Sequence, residues 1–424
     1  MYRLFADLFA QMILPAFEIS VVIFPFVLPI VGVILLWTFF KEYMEEQFAA
    51  KNKKILLEIK MPREIKRSPL AMELVLTGLY ITSRETTWID RNIKGQSRPT
   101  FSLEIASFAG DIHFYIRTEE GLKNLVEAQI YAQYPNVELH DAPDYTYGVE
   151  YIPGIVDMHA VEFIKEKGVS LPIKTYVDYG LDKDDEEYFK TDPMTPMLEL
   201  MGSLKPNEQI WFQIIMKAHK KEHVAYVKVK NKTKKTKVDW TYEGNEQKLK
   251  LLQEFSKPLA DGKDGQPGAP RRPTMGESDQ IKALERNISK IPFDVGIRAI
   301  YIAPKTDFRG VIKGGLGGVV RQYNAPQLNS FKGKHIPGFD YPWQDYKNIR
   351  VNKDKKKMLK YFKERDYWGI RKLSFFKGLE KRDQVVLSTE ELATMYHLPG
   401  EVATTPSFGR IMSRKAEAPS NLPV

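Results

Sequence analysis

The residues with the clearest chemical possibilities lie at 219–223, where His219-Lys220-Lys221-Glu222-His223 reads HxxEH. Two histidines four apart on a helix hold a zinc ion, with the glutamate between them as base, once a third ligand completes the site. The surroundings oppose that reading. Nine lysines between Lys217 and Lys237 repel a cation, and the motif sits where a strand-like run is ending. A solvated basic loop is the expectation, with a zinc metalloprotease as the distant alternative. Phosphate chemistry fares no better. A GxxxxGK[ST] loop cradles phosphates with backbone amides and a lysine, but Gly262-Lys263 and Gly333-Lys334 are followed by Asp264 and His335. Gly314-Gly315-Leu316-Gly317-Gly318 lacks the GxGxxG spacing, so a flexible connection or close helix packing is expected there. The chain has no cysteine, which removes disulfides, thiolate metal sites and cysteine nucleophiles. No catalytic residue, metal or cofactor is therefore assigned, and a non-enzymatic chain is expected.

Charge carries more information. The 424 residues hold 63 Lys and Arg against 54 Asp and Glu, a net +9, with 43% apolar residues. That composition fits a folded chain and rules out wholesale disorder. The cations gather at 217–237 and again at 347–382, where fourteen Lys or Arg face four acids. Lys353, Lys355, Lys356, Lys357, Lys360, Lys363 and Arg365 are the candidate contacts to phosphate or lipid head groups. Aromatics are interleaved with them (Tyr346, Tyr361, Phe362, Tyr367, Trp368, Phe375 and Phe376), as in proteins that stack on exposed bases. Nucleic acid, an anionic lipid surface, and plain solvated charge or protein contact all remain open. The acidic stretch 178–187 reads as a loop rather than a cation site.

These residues must be positioned by elements, and the first is in the membrane. Residues 19–40 carry no charge, and Ser20 and Thr38 are their only polar side chains. As a helix they reach roughly 33 Å, enough for a hydrocarbon core of ~30 Å. A signal peptide has a shorter apolar region and small residues after it, whereas Phe39-Phe40-Lys41-Glu42 follows here. Arg3 alone precedes the span, while Lys41, Lys51, Lys53, Lys54 and Lys60 follow it, which predicts that the C-terminal bulk is cytoplasmic. Leu4, Phe5, Leu8, Phe9 and Met12 suggest a short interfacial helix within the N-terminal segment 1–18.

Residues 41–147 predict an α+β unit of order β-α-β-β-α-β, the split arrangement of ferredoxin-like folds. Its strands are expected at 55–59, 101–105, 112–116 and 137–139, with a turn at Gly110-Asp111 and helices from Pro69 and over 119–134. Residues 148–330 predict a second such unit, an internal duplication. It has strands at 173–177, 209–216 and 295–302, helices at 196–201 and 278–291, and a Pro- and Gly-rich loop at 256–279. Residues 331–424 form a basic region, with a helix at 353–367, a capping box at Ser388-Thr389-Glu390-Glu391 and an extended tail.

Several segments carry a resemblance. They are Met61-Pro62-Arg63-Glu64, Ser68-Pro69-Leu70-Ala71-Met72-Glu73, Phe101-Ser102-Leu103-Glu104-Ile105 and Glu127-Ala128-Gln129-Ile130-Tyr131-Ala132-Gln133-Tyr134-Pro135. Ser388-Thr389-Glu390-Glu391-Leu392-Ala393-Thr394, His397-Leu398-Pro399-Gly400 and Ala418-Pro419-Ser420-Asn421-Leu422-Pro423 complete the set. Together they resemble the membrane-anchored, non-ATPase half of type IV secretion or conjugation-type HerA/FtsK-class ATPase proteins of candidate-phylum (Patescibacteria-like) bacteria. Members of that family often continue into the motor, whereas this sequence stops at Val424, so motor activity is not carried over. The resemblance implies a scaffold in the bacterial cytoplasmic membrane that anchors or docks a separately encoded ATPase, or further copies of itself. A nucleic-acid-binding module of a DNA-transfer apparatus is the alternative. Glu391, Leu392, His397 and Pro399 in the capped tail are the candidate docking residues.

Overall fold

The computed structural model describes residues 14–62, 65, 67–183, 191–220, 223–229, 232–238, 240–255, 273–334, 336–339, 341–368 and 385–400. Among the described residues the first element is one long helix, α1 (Leu14–Lys51), followed by β1 (Lys54–Lys60), α2 (Leu70–Gly78) and the short α3 (Trp88–Asn92). Next come β2 (Thr100–Phe108), β3 (Asp111–Glu119), α4 (Lys123–Gln133), β4 (Glu138–Ala142), β5 (Val156–Lys165) and α5 (Thr195–Gly202). β6 (Gln209–Ala218) leads to β7 (His223–Val229), β8 (Lys232–Val238), α6 (Trp240–Phe255) and α7 (Met275–Ile288). β9 (Pro292–Pro304), α8 (Gly310–Gly318), β10 (Phe331–Lys334), α9 (Ile349–Glu364), β11 (Val385–Ser388) and α10 (Thr389–Met395) complete the order.

The chain divides into two compact units. The first comprises residues 1–51, 84–97 and 368–382, and the second 52–83, 98–367 and 383–424. In the first, α1 runs for 38 residues with Pro25 and Pro29 inside it. Its apolar stretch within Phe24–Lys51 has a mean hydropathy of 2.0, and none of it is buried against protein, so the helix is long and apolar enough to cross a membrane.

The second unit is built on an antiparallel sheet of nine strands, in the order β10-β5-β9-β6-β2-β3-β1-β4 with β11 also paired to β9. β1, α2, β2, β3, α4 and β4 follow one another as the sequence predicts and stand in the spatial order β4-β1-β3-β2. β5, β6, β9 and β10 take the order β10-β5-β9-β6, with α5 and α8 in the corresponding connections. β2 and β6 pair from Thr100↔Lys217 to Phe108↔Gln209, so residues from 41–147 and 148–330 share one sheet rather than two.

Several local expectations are corrected. The β2–β3 turn is Ala109-Gly110, both at positive φ (53° and 93°), one residue earlier than expected. Residues 173–177 are no strand: Asp178, Tyr179 and Gly180 donate backbone N–H groups back to Thr175 and Val177 in successive turns. The strand of that half is β5, whose run VDMHAVEFIK mixes charge with apolar residues and so hides its period. The lysine-rich loop at 217–237 contains a hairpin, β7 with β8, whose strands carry three Val, and two Thr with one Val, residue types that favour strands. Of the loop expected at 256–279, residues 256–272 lie outside the described residues, and α7 already starts at Met275 behind a Thr274–Glu277 capping box. The N-terminal interfacial helix and the tail 401–424 also fall outside the described residues.

One face of the sheet presents Leu103, Ile105, Phe114, Phe212, Ile214, Val295 and Ile297 to α2, α5 and α10 in the main core. On the other face Tyr115, Trp211 and Ile300 join Met358, Leu359 and Phe362 of α9 in a second core. β2 is thus buried on both faces, not half-buried as its alternation suggests.

Candidate functional site

The basic stretch is held by α9. Asp345 is buried and accepts from the backbone N–H groups of Arg350 (2.9 Å) and Val351 (2.8 Å), partners that the first turn otherwise lacks. At the other end Arg365 caps the helix in the left-handed region at φ 51°. Met358, Leu359, Tyr361 and Phe362 face the sheet, which leaves Arg350, Lys353, Lys356 and Lys360 exposed at i, i+3, i+6 and i+10.

What fixes this helix is a polar row running across the sheet. Register pairs Glu58 with Tyr115, Tyr115 with Glu104, Glu104 with Gln213, Gln213 with Arg298, and Arg298 with Glu162. Into this row Arg365 sends a bidentate fork: Nε donates to Glu104 Oε1 and Nη2 to Oε2, both at 3.0 Å. Arg365 Nη1 donates to Asp144 Oδ2 (2.6 Å), and the Tyr145 hydroxyl donates to Glu104 Oε2 (2.5 Å). Burial alone would push the Glu104 carboxyl up, but the Arg365 guanidinium outweighs it and holds the group below its ordinary value. Arg298 donates to Gln213 Oε1 (3.0 Å) and to the carbonyls of Tyr361 (2.7 Å) and Asp366 (3.0 Å), with its guanidinium over the Phe362 ring. Beside it Gly296 lies under Tyr367: a Cβ there would stand 2.3 Å from the ring. Every partner here comes from a distant part of the chain, and sequence reading assigned none of them to this row. The only available hint was a charged residue inside each of three strand-like runs.

The predicted phosphate or lipid contacts therefore separate. Lys353, Lys356 and Lys360 are exposed, while Lys357 and Lys363 are half-buried. Lys355 is engaged by Asp157 and lies over the Tyr151 ring. Arg365 is corrected: its side chain is 1% exposed and belongs to the Glu104 pair. Tyr361, Phe362 and Tyr367 are core residues, and Phe375 and Phe376 lie outside the described residues. Of the expected aromatics Tyr346 is exposed, and so are Tyr341 and Trp343 just before it, stacked at 4.6 Å.

The predicted docking residues are also placed inside. The Ser388–Glu391 capping box forms as the sequence suggests. Glu391, fully buried, accepts from Lys165 Nζ (2.7 Å) and from the backbone N–H of Ile173 (3.0 Å). His397 Nε2 meets Asp192 Oδ2 at 3.0 Å and Nδ1 meets the Ala393 carbonyl at 2.9 Å. Burial works against a charged His397, yet the Asp192 carboxylate prevails and raises its pKa. Leu392 and Pro399 are buried as well. All four are taken up by packing because β11 and α10 complete the main core, so a partner cannot reach them directly.

Of the HxxEH segment, His219 and Lys220 carry no regular structure and His223 opens β7. His219 Nδ1 meets Asp294 Oδ1 at 2.6 Å, Arg98 donates to Asp294 Oδ2 at 3.3 Å, and Glu222 lies outside the described residues. Among the described residues no group of three or more His, Asp or Glu is arranged to hold a metal ion. The glycine run is helical in α8, with Gly315 against Leu200 of α5, the close helix packing that small residues allow. A cavity of about 330 Å³ opens between Pro62, Arg67, Tyr134 and Asn136.

No curated protein matches the chain. A family model does match, over residues 38–409, from the last turns of the apolar stretch past α10. The chain belongs to that family, described as Domain of unknown function (DUF8128).

Proposed function

We propose that the protein is a non-enzymatic, single-pass scaffold of the bacterial cytoplasmic membrane, which anchors or docks a separately encoded type IV secretion or DNA-translocase-like ATPase. The observation that carries this reading is α1. None of its apolar stretch is buried by protein, and the helix is joined through Asn52 and Lys53 directly to β1 of the sheet. An apolar surface of that length calls for lipid. The cations after the span favour a cytoplasmic sheet. The two matching strand orders support a platform of two ferredoxin-like units, duplicated and joined edge to edge at β2 and β6. Buried charges tied to one another, Glu104 with Arg365 and Glu391 with Lys165, suit a rigid support. Docking then falls to the edge strands β4 and β10 and, as the sequence suggests, to the tail 401–424, toward a motor or a second copy.

A second reading, nucleic-acid binding, is favoured by one feature: the stacked Tyr341 and Trp343 precede the exposed Lys353, Lys356 and Lys360. Affinity purification of the full chain from membranes tests both. The scaffold predicts a co-eluting ATPase whose removal takes all ATP turnover with it. ATP hydrolysis by the stripped chain contradicts it. Single-stranded DNA bound at low salt, lost steeply as salt rises and lost in the K353E/K356E/K360E variant, would instead establish the second reading.

A further inference from the structure

We infer that residues 84–97 are a second membrane contact, with α3 lying in the lipid head-group layer beside α1. The inference rests on the membrane reading of α1 and adds a lipid-binding surface to it.

Three contacts clamp this segment along the helix. The Trp88 ring stacks on Trp37 with centroids 5.7 Å apart and planes at 11°. Gly95, at φ +60°, lies against the backbone of α1, where a Cβ would stand 2.3 Å from the Met44 carbonyl, so no other residue fits. Arg84 lies over the Phe48 ring at 5.6 Å. Trp37, Met44 and Phe48 are seven and then four residues apart, about 10 Å and 6 Å along the helix. Trp88 is therefore the end of the segment nearest the bilayer centre. Trp37 lies four residues before Lys41, in the last turn of the uncharged stretch, the depth at which tryptophans gather at a membrane surface.

At that depth α3 and the two residues after it expose Trp88 (62%), Ile89 (52%) and Ile93 (40%), with Arg91 and Lys94 also exposed. Its start is fixed by a Thr87–Asp90 capping box, and Lys94 pairs with Asp90 at 2.9 Å. Apolar side chains with cations among them, held at the end of a spanning helix, match the boundary between acyl chains and phosphate head groups. Depth is what selects lipid over a protein partner, because Trp88 is held on a side chain that itself precedes the first charge after the span.

The native absence of cysteine gives a clean test. Single cysteines at Ile89→Cys, Val33→Cys and Tyr147→Cys carry a nitroxide in full-length protein reconstituted into phosphatidylcholine–phosphatidylglycerol vesicles. Collision with oxygen and with a water-soluble nickel chelate is then read at each site. Nickel access at position 89 is expected to be several-fold lower than at the exposed position 147, with oxygen access between those of 33 and 147. Lipid access at 33 with full nickel access at 89 overturns this inference alone. Nickel access at both overturns the membrane reading and this one together. Shielding at 89 from both probes, the mark of a protein cover, also overturns it.

Discussion

Arg365→Met is expected to destabilise the second unit by about 3–5 kcal/mol, because it leaves the buried Glu104 carboxyl without its counter-charge and its bidentate partner. For a unit of this size the melting temperature falls on the order of 10 °C. Glu104→Met in the same background should recover most of the loss, since two apolar side chains of similar volume replace a buried pair at little cost. Asp144, the other carboxylate on Arg365, is 39% exposed and can return to water. Thermal melts of the two single variants and the double variant close the cycle. Additive losses would show that the fork does not hold α9 to the sheet.

Removing residues 385–424 should abolish folding of the second unit, whereas removing residues 401–424 spares every buried side chain of β11 and α10. The first cut takes away Val385, Val386, Leu387, Leu392, Met395, Tyr396 and Leu398, each at most 3% exposed. At ~1.5–3 kcal/mol per buried side chain that is roughly 10–20 kcal/mol, as large as the net stability of a whole domain, about 5–15 kcal/mol. It also deletes Glu391 from Lys165 and His397 from Asp192. Loss of a partner on the longer deletion would therefore report unfolding, and only the shorter one isolates docking. Circular dichroism of both truncations decides the matter; a folded product from the longer cut would contradict the account of β11 and α10.

The outline of the fold was legible where a short-range pattern carries it. The apolar stretch, the order of the first β-α-β-β-α-β unit, the run QIWFQIIM in β6 and the Ser388–Glu391 box all depend on neighbours in sequence. What escaped depends on partners far away. β5 reads as polar because Glu162 and His159 interrupt it, and only the placement of β9 and β10 on either side makes it a strand. Glu104 looks like the wet side of an alternating strand until Arg365, 261 residues on, closes over it. Basic composition at 347–382 suggested one surface, yet Arg365, in the left-handed cap that ends α9, turns inward while the helix period leaves Lys353, Lys356 and Lys360 outside. α3 was missed because five residues show no period, and its meaning comes from Trp37, 51 residues earlier.

The side of the membrane on which the sheet lies bears on the scaffold most directly, and a cysteine-free chain makes it measurable. Val311, 83% exposed on α8, replaced by cysteine gives a single reactive thiol on the second unit. With a membrane-impermeant maleimide, the chain in the membrane fraction should stay unlabelled in intact cells and label fully once they are permeabilised. Labelling in intact cells would place the sheet outside, away from any cytoplasmic motor, and would contradict the account.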